Sequence, residues 1–200
     1  MNAQAGIGPN AITRVAEALG ADRARGVFER AGLLEYLRHP PTQLVDEHEV
    51  MALHQALRAE LGPVESGRIA TMAGQRTAQY LLTHRIPGLA QWVLKALPAA
   101  WSARLFIRAI SAHAWTFAGT GKFSGRVRWS PRERQGSPQV ILSLTNNPLC
   151  RNIHADAPQC DFFATVFEVL FRALVHPQSR VTEIACEACG DGACVFEVQW

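Results

Sequence analysis

Two hundred residues, 48% of them apolar and 18% charged, suffice for one well-buried core and leave little for a second. The formal net charge is only +3, arginine greatly outnumbers lysine, and no dense basic run follows the chain, which argues against nucleic acid as a partner. Neither a basic-then-apolar leader nor an apolar stretch of bilayer length is present, so a cytoplasmic protein without a transmembrane segment is expected.

The first two-thirds of the chain reads as helical. Asn10 is placed to cap a helix over residues 11–19, and Asp22 a second over 23–31 that ends at Gly32. After the stop at His39-Pro40-Pro41, Asp46 opens a helix to Leu61 with Val50, Leu53, His54, Leu57 and Leu61 at helical spacing. Gly62-Pro63 breaks that pattern, and a further helix is expected over 64–84. Pro87-Gly88 and Pro98 then divide the chain into a helix over 89–97 and a long one over 99–117. Beyond Gly119 the period changes to two: Phe123, Val127 and Trp129 alternate with arginines, and Val140, Leu142 and Leu144 repeat the alternation, which predicts a hairpin. Asp161 starts a helix to Leu174. Two more strand-like runs, 180–187 and 194–200, meet across Gly190-Asp191-Gly192. Helices first, then a sheet interrupted by one helix, is an α+β pattern. Residues 1–63 are expected to be a helical region packed on the same domain as residues 64–200, which would carry the ligand-binding part and a C-terminal metal hairpin.

Five cysteines, at 150, 160, 186, 189 and 194, make an odd set in a chain without a leader, and so suit reduced metal ligands better than disulfides. Cys160, Glu183, Cys186 and Cys194 form the strongest constellation. Glu183 and Cys186 lie three residues apart, Cys194 sits across a glycine turn, and Cys160 stands at a helix start that favours a thiolate. Three sulfurs and a carboxylate suit tetrahedral zinc, in a structural role because a closed set leaves no open position. Cys189 competes with Glu183 for the fourth place, and Cys150 and His154 are weaker alternatives. Buried cysteines also serve as plain apolar residues, but that does not account for three of them around one turn.

The run from Glu183 to Phe196 resembles the signature of the 4-vinyl reductase domain family, E-x-x-C-x-A-x-G-D-x-x-C-x-F. The resemblance implies zinc on a Cys, a Glu and two further Cys, as in the family's phenol-sensing members, and these fall on Cys160, Glu183, Cys186 and Cys194. It also implies the fold of the small TRAPP trafficking-complex subunits, with helices on an antiparallel sheet of about four strands around an apolar cavity. The segments 80–87 and 112–119 are similar to the bacteriochlorophyll-biosynthesis branch of the family. That branch implies reduction of the 8-vinyl group (4-vinyl in the older numbering) of a chlorophyllide precursor.

Reduction requires a donor, and the cofactor carries that chemistry. No strand-turn-helix with G-x-G-x-x-G is present, and Gly119-Thr-Gly121 precedes a strand. Binding asks for less. The expected function is therefore that of an accessory protein holding a magnesium porphyrin or chlorophyllide intermediate in an apolar cavity and delivering it to tetrapyrrole-pathway enzymes. The 8-vinyl reductase itself is the enzymatic alternative, and a dimeric interaction adaptor with the trafficking-subunit fold is a third. Trp101, Trp115 and Phe117 would supply apolar lining, with Arg85, Arg108 and Arg104 for propionates. His113 would be the axial ligand to magnesium and His84 the second candidate. Phe117, Gly119 and Phe123 are placed at the cavity mouth. A homodimer fits each reading, as does a location in the cytoplasm or at the periphery of a photosynthetic membrane.

Overall fold

The computed structural model describes residues 6–128 and 139–200. Helix α1 (Asn10–Leu19) buries Ala11, Ile12, Val15, Ala18 and Leu19, an apolar stripe at helical spacing. Its first turn follows Pro9 rather than an Asn10 cap; the Asn10 carboxamide instead accepts a bond from the Arg14 Nε–H. Gly20, at φ +73°, turns the chain directly into α2 (Ala21–Arg30), so Asp22 lies inside the first turn instead of capping it. A two-residue pairing of β1 (Gly6–Ile7) with β2 (Val45–Asp46) precedes the long helix α3 (Glu47–Tyr80).

Asp46 caps α3 as its sequence suggests, its carboxylate accepting the His48 N–H at 2.8 Å. The expected break is also present. Gly62 has φ 71° and ψ 174°, and Pro63 restarts the helix in a new direction. A π-helical turn over Leu81–Arg85 leads to α4 (Gly88–Ala96) and α5 (Ala99–Ala112). The helix expected to continue to Phe117 stops at His113. There the backbone leaves helical geometry, and the imidazole Nδ1 sits 2.8 Å from the Ala109 carbonyl. A short α6 (Trp115–Ala118) then sets up the turn into the sheet.

The sheet has the antiparallel order β3-β4-β6-β5, formed by Lys122–Arg128, Gln139–Thr145, Cys194–Gln199 and Arg180–Ala185. Of the alternating residues read for the first strand, Trp129 lies outside the described residues. Register follows burial: Leu142 faces Phe196 and Leu144 faces Cys194, and all four are wholly buried. Helix α7 (Asp161–Leu174) covers this inner face with Phe162, Phe163, Val166, Phe167, Leu170, Phe171 and Leu174. It also crosses α3 closely at Gly74, where a Cβ would lie 2.6 Å from the Phe162 carbonyl oxygen.

The space between helices and sheet is occupied by rings. Phe167 meets Phe117, Phe123, Phe163 and Phe196 at centroid separations of 5.4–6.5 Å. Phe117 and Phe123, read as a cavity mouth, are thus in mutual contact at 5.5 Å within this packing. A hollow of about 380 Å³ lies elsewhere, between α1, α2 and the turn after α2, lined by Ala16, Ala24, Leu34 and Leu37 with Arg25 and Arg38.

Candidate metal centre

Four separate segments deliver sulfur to one point. Cys150 lies in the turns after β4, Cys160 immediately precedes α7, Cys186 follows β5, and Cys194 opens β6. All four are at most 2% exposed, and their Sγ atoms lie within 4.8 Å of one another. Individual separations are 3.0 Å for Cys150–Cys160, 3.4 Å for Cys160–Cys194, 3.6 Å for Cys150–Cys186 and 4.0 Å for Cys186–Cys194. A tetrahedral ion with metal–sulfur bonds of about 2.3 Å separates its sulfurs by roughly 3.8 Å, so the donor set fits zinc in number, type and spacing. Neighbouring thiols, Cys150 first, hold Cys186 and Cys194 below the usual thiol range, whereas burial pushes Cys160 well above it.

Of the residues read from sequence, Cys160, Cys186 and Cys194 come together, and Cys150 completes the set. Glu183 stands one layer out. Its Oε2 accepts the Cys160 N–H at 2.9 Å, its Oε1 has no hydrogen-bond partner among the described residues, and burial pushes the carboxyl up to about 8. Cys189 and His154 are exposed, away from the four sulfurs.

Three polar residues that the motif reading passed over organise the site. Asn147, wholly buried, directs its Nδ2 at Cys160 Sγ (3.1 Å) and Cys194 Sγ (3.3 Å), while its Oδ1 accepts the Leu149 N–H. Such N–H···S contacts stabilise thiolates and orient ligands. Glu187 accepts the Asn146 and Asn147 backbone N–H groups at 2.5 and 2.7 Å, and Asp191 accepts the Cys186 N–H at 2.8 Å. Asn147-Pro148, a turn pair ending a strand three residues before a cysteine, was the available signal for the first segment.

The residues read as ligand-binding form no enclosed lining. Trp92, Trp101 and Trp115 are 67%, 63% and 59% exposed, and His84, Arg85, Arg108 and His113 are exposed as well. Phe117 alone of that set packs against the core. The physical reason is that Phe117, Phe123, Phe163 and Phe167 fill the interior themselves, while α4 has only Leu94 fully buried. The apolar side chains of α4 and α5 left over from that packing make a surface.

Residues 140–199, which span β4, α7, β5 and β6, match the 4-vinyl reductase domain family. Over 96% of its length the chain is 39% identical to the bacteriochlorophyll synthase 23 kDa chain of Cereibacter sphaeroides, covering 89% of that protein. It is 36% identical over 95% of its length to the chain of the same name from Rhodobacter capsulatus, covering 85% of it. The fold is that of the phenol-responsive sensory domain of the transcription activator PoxR, at a TM-score of 0.50 and 16% identity, with 90% of this chain and 93% of that one covered. With two relatives this similar along nearly the whole chain, and the domain match falling on the segments that gather the four thiols, the chain belongs to the family of bacteriochlorophyll synthase 23 kDa chains.

Proposed function

We propose that this protein serves bacteriochlorophyll biosynthesis as a non-catalytic accessory that takes up a magnesium porphyrin or chlorophyllide intermediate and passes it to a pathway enzyme. The observation that carries this reading is the near full-length similarity to two proteins named as bacteriochlorophyll synthase subunits. A subunit role suits the surface as well. His113, Trp115, Trp101 and Arg108 stand exposed on the consecutive helices α5 and α6 and the turn between them, and Arg85 and His84 are exposed just before α4. The His113 Nδ1, engaged with the Ala109 carbonyl, is the protonated nitrogen, which leaves Nε2 with the lone pair that magnesium accepts. Arginines beside such a ligand suit the propionate edge of a tetrapyrrole.

In the same reading the four buried cysteines hold a structural zinc ion. They have no open coordination position and no substrate path, because every sulfur is buried. Zinc supplies cross-linking of four chain segments and no chemistry on the pigment.

The deciding experiment is an absorption titration of the purified protein with magnesium protoporphyrin and with divinyl chlorophyllide, with and without NADPH. A saturable Soret shift at micromolar concentration, weakened at least tenfold in His113→Ala and without loss of the vinyl group, is expected. Absence of binding, or conversion to the ethyl product, would overturn the accessory reading.

A further inference from the structure

Charge along the chain is not scattered once it is placed on the fold. Residues 66–128 hold nine of the twenty Lys and Arg residues and none of the seventeen Asp and Glu residues. This stretch contains α4, α5, α6 and β3. Arg85, Lys95, Arg104 and Arg108 are all exposed, and none of them is in an ion pair among the described residues. Arg104 instead lies over the Trp101 ring at 5.5 Å, next to exposed apolar surface.

That apolar surface is the densest among the described residues. Leu89, Trp92 and Val93 are exposed at helical spacing on α4, and Trp101 and Leu105 on α5, the two helices being joined through Leu97 and Pro98. Exposed tryptophan and leucine surrounded by cations and free of carboxylates is the composition of a helix pair that lies in a lipid headgroup layer. We infer that the α4–α5 hairpin is a membrane-docking surface that seats its tryptophans in the interface of an anionic bilayer, with Arg85, Lys95, Arg104 and Arg108 meeting lipid phosphates. No helix among the described residues is long and apolar enough to cross a membrane, so the attachment is peripheral.

The chemistry favours lipid over other occupants. A nucleic acid would reward the arginines and stack on the tryptophans, but would leave Leu89, Val93 and Leu105 in water. A second copy placed on this face by a two-fold axis would bring the same cations together without a single carboxylate to offset them. Hydrocarbon beneath a layer of phosphates satisfies both the aliphatic residues and the charge. The inference stands on exposure and charge alone and does not depend on pigment binding, since pigment-free vesicles and lipid-free pigment test the two separately.

The full chain should be floated with vesicles of phosphatidylcholine, alone or with about a third phosphatidylglycerol. Binding to the anionic vesicles, weakened by salt, with a blue shift of tryptophan emission is expected. Removing two cations in Arg104→Gln/Arg108→Gln should weaken it roughly 25-fold, at about fivefold per charge near the surface. Trp92→Ser/Trp101→Ser, exposed positions whose replacement leaves the melting temperature unchanged, should weaken it at least tenfold. Failure to bind anionic vesicles, binding unchanged in both double variants, or conversion of a dimer to a monomer by Trp92→Ser/Trp101→Ser would each overturn the inference.

Discussion

The fourth metal ligand turns on a choice between one sulfur and one carboxylate. Cys150 Sγ sits 3.0 Å from Cys160 Sγ, whereas the Glu183 carboxylate is tied to the Cys160 backbone N–H. Cys150→Ser should therefore lose bound zinc in a metal analysis, while Glu183→Gln should retain close to one ion per chain; the opposite pattern would return the ligand role to Glu183. A second residue has a signature in pH. His54 is 2% exposed and lies 3.3 Å from the Ala11 carbonyl oxygen, edge-on to Phe162. Burial, aided by the Arg58 charge, lowers its pKa to about 3. The unfolded chain, with an ordinary histidine near 6.5, then binds the proton that the folded one refuses. Stability contributed by neutral His54 is full above pH ~6.5 and falls by about 1.4 kcal/mol per pH unit as pH drops toward 3. Urea unfolding between about pH 7 and 5 should show this slope, and His54→Leu should flatten it.

At the scale of elements, one ion pair fastens the start of α3 to the turn before β3. Glu47, 4% exposed, accepts from Arg151 Nη1 at 3.0 Å, from the Thr120 N–H at 2.8 Å and from the Thr120 hydroxyl at 2.9 Å. Burial opposes its ionisation, but these donors outweigh burial and hold the carboxyl below its usual range. Removing one partner leaves a buried charge uncompensated, so Arg151→Leu should cost about 3–5 kcal/mol in denaturant unfolding. Gly119 explains why the turn tolerates no side chain, because a Cβ there would fall 2.1 Å from Glu47 Oε2 in a backbone already at φ +57°. The periods of 3.6 and two, with Gly62-Pro63 and Pro98 as breaks, were enough to read the helices and all four strands of the sheet. They could not give the end of α5 at His113, since Trp115 and Phe117 prolong the helical pattern and only the packing of Phe117 against Phe123 and Phe163 turns the chain. Nor could they separate interior aromatics from exposed ones. Phe106 and Trp101 occupy the same helix, and only the position of Phe171 decides which of them is covered.

Across the whole molecule, the thiol cluster is the place where distant segments meet. Cysteines 186 and 194 were legible because a glycine turn brings them together locally. Cys150 was harder, because nothing in its own sequence shows that Asn147, bound through its backbone to Glu187, holds the 146–150 turns against the hairpin. The loop after β4, the start of α7 and the β5–β6 hairpin thus share one anchor, and α7 in turn packs along both the sheet and α3. An ion held there binds the folded chain far better than the unfolded one, so its effect on stability follows mass action. At a free zinc concentration about a thousandfold above the dissociation constant the gain is about 4 kcal/mol, which for a chain of this size corresponds to a melting shift of roughly 8–16 °C. Stripping the metal with a strong chelator under reducing conditions should lower the melting temperature by that amount, and added zinc should restore it. Hydrogen exchange should locate the loss: amides of β5, β6 and the first turn of α7 should lose protection before those of α1 and the first half of α3, which lie outside the anchored segments. A melting temperature indifferent to chelator, or protection lost uniformly, would mean that the four thiols hold the C-terminal half together without an ion.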